Sequence, residues 1–337
     1  MKILITGICG FTGSILARTL QEFDSGIELW GIDNLLRTGS EQNRAALKPS
    51  GVHLFHGDVR CRSDFDVVPE VQWVIDAAAN PSVLAGVNGG SSSRQRRFNP
   101  PKNQPRLFDR AADQPARDHR KRGVLSAARF LLRVVGLSSE GVAEDFPTAP
   151  PVSLYGDTKL ASELIALEYG EASGLPIWIN RCGVLAGAGQ FGIPDQGIFA
   201  FWLNSYLRRR PFKYIGFNGQ GYQVRDCLHP RDVAALVWKQ MKSPDRQVER
   251  VQNVGGGVAS AMSLAQLSSW CAARFGKHTV GGDSASRPYD VPWMVLDSAR
   301  ARCQWDWQPT VRVEQIFEEI AQHAEAHPEW LEVSGCI

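Results

Sequence analysis

The sequence predicts an α/β fold, in which a doubly wound parallel sheet is followed by a smaller C-terminal α/β lobe. Two observations carry this prediction. Short apolar stretches alternate with segments of helical periodicity, and a glycine-rich turn joins the first strand to the first helix. The chain of 337 residues, 43% of them hydrophobic, can bury a core of that size. We place the first domain at residues 1–180 and most of the smaller lobe at 181–337, with some segments returning to the first sheet.

The first element is a strand that leads through a glycine turn into a helix. Residues 1–7 form an apolar run, and residues 14–20 have helical spacing. Glycines permit a tight turn and a close backbone approach, so a pyrophosphate can rest on the amide groups at the helix start. This pattern is typical of a Rossmann-type dinucleotide site. The residues assigned to it are Gly7, Gly10, Phe11, Thr12 and Gly13.

The second strand ends in an acidic residue. The apolar residues 27–32 are followed by Asp33, about twenty residues beyond the glycines, where a carboxylate accepts hydrogen bonds from the adenosine ribose hydroxyls. This favours NAD over NADP. Arg37 lies near enough to bind a 2′-phosphate, but Asp33 would repel that phosphate. We assign Asn34 to the same end of the cofactor.

Two further predicted strands end at the same edge of the sheet, which is where open parallel sheets bind their ligands. These strands are residues 52–55 and 71–75. Asp58 could hold the adenine amine or cap a helix, and the alanines after the fourth strand would let the backbone pass close to the cofactor. The residues assigned here to the cofactor are Asp58, Val59, Ala77, Ala78 and Ala79.

Tyr155 and Lys159 form a candidate catalytic pair, because side chains at i and i+4 share one face of a helix. A free phenol has a pKa of about 10 and is a poor base unless a nearby cation stabilises the phenolate. Lys159 could be that cation. The Tyr-x-x-x-Lys pattern is common on solvated helices, so the prediction depends on the glycine turn and Asp33 upstream. The helix continues to Gly170.

These motifs resemble the extended short-chain dehydrogenase/reductase family, which contains nucleotide-sugar epimerases and dehydratases. Residues 180–192, 223–233 and 287–292 resemble the CDP-paratose 2-epimerase (CDP-tyvelose epimerase) branch most closely. The resemblance implies oxidation and re-reduction of a sugar carbon on a retained NAD. It gives Tyr155 the role of taking the hydroxyl proton, and Lys159 the roles of lowering the tyrosine pKa and holding the nicotinamide ribose.

The resemblance further implies that the partner is a nucleotide-diphosphate sugar, with a CDP-sugar favoured. Arg225 and Arg287 would then contact the diphosphate, since forked donors suit phosphates; without the resemblance, each could equally form an ion pair. A UDP-glucose 4-epimerase is the closest rival. A 4,6-dehydratase needs an Asp-Glu pair, and Glu144-Asp145 has the wrong order and is interpreted as loop. From another class, the chain could bind NAD without catalysing a reaction.

The second half of the chain carries further expectations. A strand over residues 176–180 should place Arg181 at a strand end facing the cleft, and His229 before a proline is interpreted as structural. Trp305 and Trp307 are expected to pack the smaller lobe, as is Trp293. Helices are predicted over residues 198–207, 232–241 and 263–270, the last capped by Ser263.

Residues 91–136 do not fit the pattern of the family. An amphipathic helix and a strand ending in a Ser/Thr turn are expected there, but the segment is rich in arginine and proline and lacks helical periodicity. A strand or short helix is predicted only over 126–135, and Ser138 and Ser139 are the nearest hydroxyls to Tyr155. The segment could be a basic loop that contacts RNA or a partner, a disordered insertion, or a product of paired frameshifts. We favour the frameshift, which predicts that another reading frame of the DNA encodes the missing helix and strand.

Composition limits the remaining classes. A net charge of +2 gives no argument for nucleic acid, and seven scattered cysteines without C-x-x-C or Cys/His spacing support neither disulfides nor a metal site. A signal peptide and membrane-spanning stretches are not recognisable, so we expect a cytoplasmic protein with no membrane partner. The family resemblance implies a homo-oligomer, either a dimer or a tetramer.

Overall fold

The computed structural model of the chain describes residues 1–79, 123–127, 141–148, 154–194, 196–244, 246–285 and 291–333. For residues 123–127 and Leu154 it describes the backbone alone. Arg287, Ser138 and Ser139 lie outside the described residues, as does the anomalous segment apart from 123–127.

A seven-stranded parallel sheet forms the first layer of the structure. The strands of all sheets in the described residues are, in chain order, β1 (Lys2–Thr6), β2 (Glu28–Asp33), β3 (His53–His56), β4 (Trp73–Asp76), β5 (Gly123–Ala127), β6 (Ile177–Cys182), β7 (Val184–Leu185), β8 (Lys213–Ile215), β9 (Val224–Leu228), β10 (Val251–Val254), β11 (Ala261–Ser263), β12 (Gly281–Asp283) and β13 (Trp293–Met294). The order in the large sheet is β10-β6-β5-β4-β1-β2-β3, and all neighbours pair in parallel. The α/β fold predicted from the sequence is therefore confirmed.

Helices connect these strands, and some of them cover the large sheet while others belong to the small lobe. They are α1 (Phe11–Phe23), α2 (Ser40–Leu47), α3 (Leu154–Ser173), α4 (Ile198–Leu207), α5 (Pro230–Lys242), α6 (Leu264–Phe275), α7 (Ala299–Trp305), α8 (Val313–Ala326) and α9 (Trp330–Val333). Within the described ranges, none of these helices has the length and apolar composition needed to cross a bilayer.

Strand β5 lies inside the segment that the sequence marked as anomalous. It pairs with β4 on one side and β6 on the other, with Ser126 level with Asp76 and Ile179. The predicted strand or helix at 126–135 is therefore displaced, because the observed strand begins at Gly123.

The main hydrophobic core packs α1, α5 and α7 against the large sheet. Trp178 of β6 is fully buried and meets Trp305 edge-on at 6.0 Å between ring centroids. Trp307 belongs to the same core, and its indole donates to the Asp232 carbonyl at 2.7 Å. The expectation that Trp305 and Trp307 pack the smaller lobe was wrong, because the chain returns to the first sheet through α7.

The small lobe is built on two further sheets and three helices. Strand β9 pairs with β7, β11 and β13, while β8 pairs with β12. Helices α4, α6 and α8 enclose a second core that includes Phe199 and Phe317. Helix α4 has the predicted bounds, and α6 starts at a capping box of Ser263 and Gln266 as expected.

Arg181 does not face a cleft, contrary to the prediction. It is only 7% exposed and lies within β6, where its guanidinium forms a two-pronged ion pair with Glu163 of α3 at 3.0 and 2.6 Å. It also donates to the Glu144 carbonyl at 2.9 Å. A buried ion pair is retained where both charges are fully hydrogen-bonded, so Arg181 joins α3 and the 141–148 segment to the sheet.

Candidate active site

The glycine turn between β1 and α1 is packed against the end of β4. Gly7 has a φ of +63°, and a Cβ added to it would lie 2.8 Å from the Ala78 Cα. A Cβ on Gly13 would lie 2.3 Å from the Gly7 carbonyl oxygen. Both contacts are with backbone, so no side-chain movement relieves them. The two glycines are required because the helix starts directly on top of two strand ends.

Helix α1 begins without a side chain to cap it. Its N-cap residue is Gly10, whose own N–H donates to the Gly7 carbonyl at 3.0 Å. The first amide groups of a helix have no acceptor within the helix and carry partial positive charge. This end of α1, with Phe11, Thr12 and Gly13 in its first turn, therefore fits a pyrophosphate.

Asp33 lies at the end of β2, directly beside the glycine turn. Its carboxylate accepts from the Cys9 N–H at 2.9 Å and from the Leu35 N–H at 2.8 Å. Burial raises the pKa of Asp33, and these amide donors oppose the rise. The Gly10 N–H is a third backbone donor to this carboxylate. A carboxylate offers about four acceptor positions, so Asp33 retains capacity for a further donor such as a ribose hydroxyl.

Asn34 and Asp58 meet at the ends of β2 and β3. The Asn34 amide donates to Asp58 Oδ2 at 3.1 Å, and Arg60 pairs with the same carboxylate at 2.5 Å. The Arg60 hydrogen bond lowers the pKa of Asp58 to about 2. Asp58 is not a helix cap, because the nearby 3-10 turn starts at Arg62 and has Cys61 in the cap position. Its carboxylate is thus held ionised beside the proposed adenosine end.

The alanines and Val59 line the same strand ends. Ala77 packs against the main core, and Val59 packs with the cluster of Leu4, Ile32 and Phe65. Ala79 is exposed. The structure thus brings the predicted cofactor residues to one edge of the sheet.

Thr6 and Asp76 are site residues that the sequence interpretation missed. The buried Thr6 hydroxyl donates to Asp76 Oδ1 at 2.6 Å, and the Ala78 N–H donates back to that hydroxyl at 3.3 Å. They join the ends of β1 and β4 and hold the alanine turn under Gly7. The available signal was a polar residue at the last position of each of two apolar strands.

The guanidinium of Arg37 is held by residues that are distant in the sequence. Its guanidinium donates to Gln196 Oε1 at 2.8 Å and to the Phe191 carbonyl at 2.5 Å, both in the segment between β7 and α4. The interpretation of Arg37 as a ligand of a 2′-phosphate therefore loses support, because both outer nitrogens of its guanidinium already donate to the segment between β7 and α4.

Tyr155 and Lys159 lie on one face of the first turns of α3, as the i, i+4 spacing predicted. Tyr155 is only 8% exposed, and the Lys159 Nζ lies 5.5 Å from the centre of its ring. Helix α3 runs into β6, which is parallel to β1 and β4. The start of α3 therefore lies at the carboxyl edge of the sheet, where the glycine turn lies.

Arg225 lies in β9, in the middle of the small lobe's sheet. One of its guanidinium nitrogens donates to the Val224 carbonyl at 2.7 Å and to the Val291 carbonyl at 2.6 Å. These contacts attach β9 to the segment that precedes β13. Arg287, its predicted partner on the diphosphate, lies outside the described residues, so the pairing of the two arginines stays a prediction.

His229 is structural, as its sequence context predicted. Its Nδ1 accepts from the Arg231 N–H at 3.1 Å and so caps α5, while Nε2 lies 3.2 Å from Glu319 Oε2. The hydrogen bond from His229 lowers the pKa of Glu319. In the described ranges, no three His, Cys, Asp or Glu side chains are grouped as metal ligands.

Comparison with known proteins places this geometry in context. The profile of the NAD dependent epimerase/dehydratase family matches residues 3–97 and 124–255. The first part of the match ends at residue 97, close to the start of the anomalous segment 91–136. The second part begins at residue 124, which is before the end of that segment at Gly136.

Two curated relatives and one solved structure illustrate the similarity. CDP-paratose 2-epimerase of Salmonella typhi is 27% identical over 79% of this chain and 82% of its own. UDP-glucose 4-epimerase of Corynebacterium glutamicum is 23% identical over 92% of this chain and 91% of its own. The crystal structure of UDP-glucuronic acid 4-epimerase from Bacillus cereus, in complex with UDP-glucuronic acid and NAD, superposes with a TM-score of 0.81 at 22% identity, covering 97% of this chain and 99% of that one.

Proposed function

Because the chain belongs to the NAD dependent epimerase/dehydratase family, we propose that it is a nucleotide-sugar epimerase of the CDP-paratose 2-epimerase type. One observation carries the proposal. The start of α3, with Lys159 Nζ 5.5 Å from the Tyr155 ring, lies at the same sheet edge as the glycine turn and Asp33. A base beside a dinucleotide site is what carbinol oxidation requires.

The residues at the sheet edge fit NAD. The uncapped N–H groups at the start of α1 would donate to the pyrophosphate, and the Asp33 carboxylate would accept from the adenosine ribose. Gly7 and Gly13 carry no side chain, and a Cβ added to either would collide with backbone. The surface of this turn is therefore bare backbone, which a cofactor can approach closely. When bound there, NAD would supply a hydride acceptor for the oxidation of a sugar carbon and a hydride donor for its re-reduction.

In the proposed reaction Tyr155 acts as the base. As phenolate it accepts the sugar hydroxyl proton, and it gives that proton back when the ketone is reduced. The ammonium of Lys159 stabilises the phenolate through its position above the ring, and it would also hold the nicotinamide ribose of a bound NAD. The low exposure of Tyr155 keeps water from competing for the proton.

The substrate class follows from the relatives and the arginines. Salmonella typhi CDP-paratose 2-epimerase supports a CDP-sugar that changes configuration at carbon 2, and we assign Arg225 and Arg287 to its diphosphate. A UDP-sugar 4-epimerase is the second candidate, supported by the Corynebacterium glutamicum relative. The pair Glu144-Asp145 gives no support to a dehydratase, because the Glu144 carboxylate accepts from the Asn253 N–H at 2.8 Å and is structural.

We further propose that the enzyme forms a homodimer through α3. Leu164 and Ile165 are consecutive residues of this helix with exposures of 58% and 39%, and exposed large apolar side chains favour a partner surface. Light scattering of the purified protein, with Leu164→Glu as a disrupting variant, tests this assembly.

The decisive experiment compares substrates and two tyrosine variants. Purified protein is analysed for bound NAD, then assayed with CDP-paratose and CDP-tyvelose, and separately with UDP-glucose and UDP-galactose. Tyr155→Phe should lower turnover by about 10³-fold or more while NAD stays bound. Tyr169→Phe in the same helix is the matched control and should keep its activity. Normal turnover by Tyr155→Phe would exclude the mechanism, and retained NAD without turnover of any substrate would favour a binding protein.

A further inference from the structure

Arg37 joins the loop after β2 to the segment that precedes α4. Its two donors reach Gln196 Oε1 at 2.8 Å and the Phe191 carbonyl at 2.5 Å. Gln196 in turn exchanges two backbone hydrogen bonds with Ile193, at 2.7 and 3.0 Å. The guanidinium therefore binds a closed turn rather than a loose end. Its two partners are 154 and 159 residues away in sequence.

A second contact reinforces the same joint, by which we mean the connection of Arg37 to Phe191 and Gln196. Gly39 has a φ of +93°, and a Cβ placed on it would lie 2.4 Å from a ring carbon of Phe191. Phe191 is only 3% exposed, and it stacks on Trp330 of α9 at 5.1 Å between ring centroids. The Trp330 indole donates to the Gln190 carbonyl at 2.9 Å. Residues 189–194 are thus held between the C-terminal helix and the loop after β2.

This joint lies four residues from Asp33, whose carboxylate fixes the start of the same loop through the Leu35 N–H. An epimerase must keep its dinucleotide between the two half-reactions, because the hydride has to return from the same nicotinamide. Release of a dinucleotide held at the sheet edge requires the segments beside it to separate. Here that separation breaks two hydrogen bonds from a charged donor, which are stronger than neutral ones.

We propose that Arg37 is a positioning residue that slows the release of NAD by fastening the small lobe to the loop carrying Asp33. It acts through Gln196 and Phe191 and does not bind the cofactor itself. The inference rests on the proposed function for its cofactor, and it assigns to Arg37 a role different from phosphate recognition.

A double-mutant cycle tests the proposal. The variants are Arg37→Gln, Gln196→Ala and their combination, with Lys48→Gln as a control that removes a positive charge from the exposed turn after α2. The rate of NAD release from holoenzyme is followed with an NAD-consuming trap. Arg37→Gln should release NAD about tenfold faster, as expected for losing hydrogen bonds to a charged group. The double variant should be no faster than Arg37→Gln, and the control should match the native rate.

Two outcomes of the cycle overturn the inference. Additive effects of Arg37→Gln and Gln196→Ala would mean that Arg37 does not slow release through its hydrogen bond to Gln196. A native release rate in Arg37→Gln would mean that the joint does not limit release. If Arg37→Gln fails to fold, Arg37→Lys replaces it in the cycle, since lysine keeps the charge but cannot fork to both acceptors.

Hydrogen exchange gives a readout that is independent of activity. Peptides covering residues 189–194 should take up deuterium faster in Arg37→Gln than in the native protein, whereas peptides from α5 should not change. Protein purified without NAD and inactive on all four sugars would refute the proposed function, yet the exchange difference would still be measurable. Unchanged exchange in residues 189–194 would overturn the inference even in an active enzyme.

Discussion

Two glycine turns in this molecule use the same residue types for different ends. One follows β1 at residues 7–13, and the other follows β10 at residues 255–257. Each donates a backbone N–H to an aspartate of another strand, β2 for the first turn and β9 for the second. The Cys9 N–H lies 2.9 Å from Asp33, and the Gly257 N–H lies 3.3 Å from Asp226.

The two turns differ in what fills the space beside the carboxylate. Asp226 is fully buried, and a Cβ on Gly255 would lie 2.3 Å from its Oδ2. Burial raises the pKa of Asp226 to about 6. Asp33 is only half-buried and lies beside an uncapped helix. The first turn therefore leaves room beside its carboxylate, whereas the protein itself fills that room at the second turn.

The largest effects should come from adding a methyl group to each turn. Gly13→Ala meets backbone and Gly255→Ala meets the Asp226 carboxylate, so each should lower the free energy of unfolding by about 3 kcal/mol. Only Gly13→Ala should also lose NAD. Urea denaturation and the NAD content of the folded fraction measure both effects.

Gly51→Ala serves as the control for these variants. Gly51 has a φ of +72° but has no atoms within 4 Å of its added Cβ, so only backbone strain of about 1 kcal/mol is expected. Loss of NAD from folded Gly255→Ala would remove the distinction between the two turns.

The pH dependence of stability tests the role assigned to Asp226. Since the pKa of Asp226 is about 6 when folded and near 3.8 when unfolded, the folded state binds more protons between these values. Stability therefore falls as pH rises from about 4 to 6, by about 3 kcal/mol from this group. Asp226→Asn should abolish this component, as seen in urea denaturation across pH 4 to 7. Parallel curves for the native protein and the variant would contradict the assignment.

Changing the open turn should affect binding more than folding. Asp33→Asn keeps the shape but removes the charge that the ribose hydroxyls favour, so NAD affinity should weaken about tenfold. Discrimination against NADP should weaken as well, because the repulsion of a 2′-phosphate is lost. Titration calorimetry of the stripped protein with each dinucleotide measures both. An unchanged NADP/NAD ratio would indicate that Asp33 does not select the cofactor.

The smallest effect is expected from the ion pair beside the open turn. Arg60 is 46% exposed, and pairs of this kind contribute at most about 1 kcal/mol. Arg60→Gln should therefore change the free energy of unfolding only slightly, and the change should shrink in high salt. Because Arg60 lowers the pKa of Asp58, its contribution is present above pH 4 and is lost as pH falls toward 2. A loss of several kcal/mol would show that Asp58 is a structural group, like Asp226.

Sequence patterns predicted those parts of the structure that depend on neighbours in the chain. The period of the apolar residues gave the bounds of α4, and the glycine spacing gave the turn before α1. Helix α5 begins at Pro230, two residues before the predicted start, because the His229 side chain caps it and proline suits the first helical position. The spacing of Tyr155 and Lys159 likewise predicted their shared face.

Contacts between distant segments were not predictable in this way. Arg181 was expected at a cleft, yet its partner Glu163 is decided by how α3 packs on β6. Trp305 and Trp307 lie in the first core because α7 returns to β10, and no local pattern records that return. The partners of Arg37 are chosen by the approach of two loops. Such pairings require the assembled sheet, which the amphipathic pattern of one segment does not encode.

The position of β10 in the large sheet has a consequence for synthesis on the ribosome. Strand β6 ends at Cys182, but its outer neighbour β10 begins only at Val251. The elements from β7 to α5 are synthesised between these two strands. At about 5–20 residues per second this interval lasts several seconds. During that time one edge of β6 presents unpaired backbone groups, which attract other strands. The nascent chain is therefore expected to need protection by a chaperone in this interval, and a stalled chain ending before Val251 should aggregate.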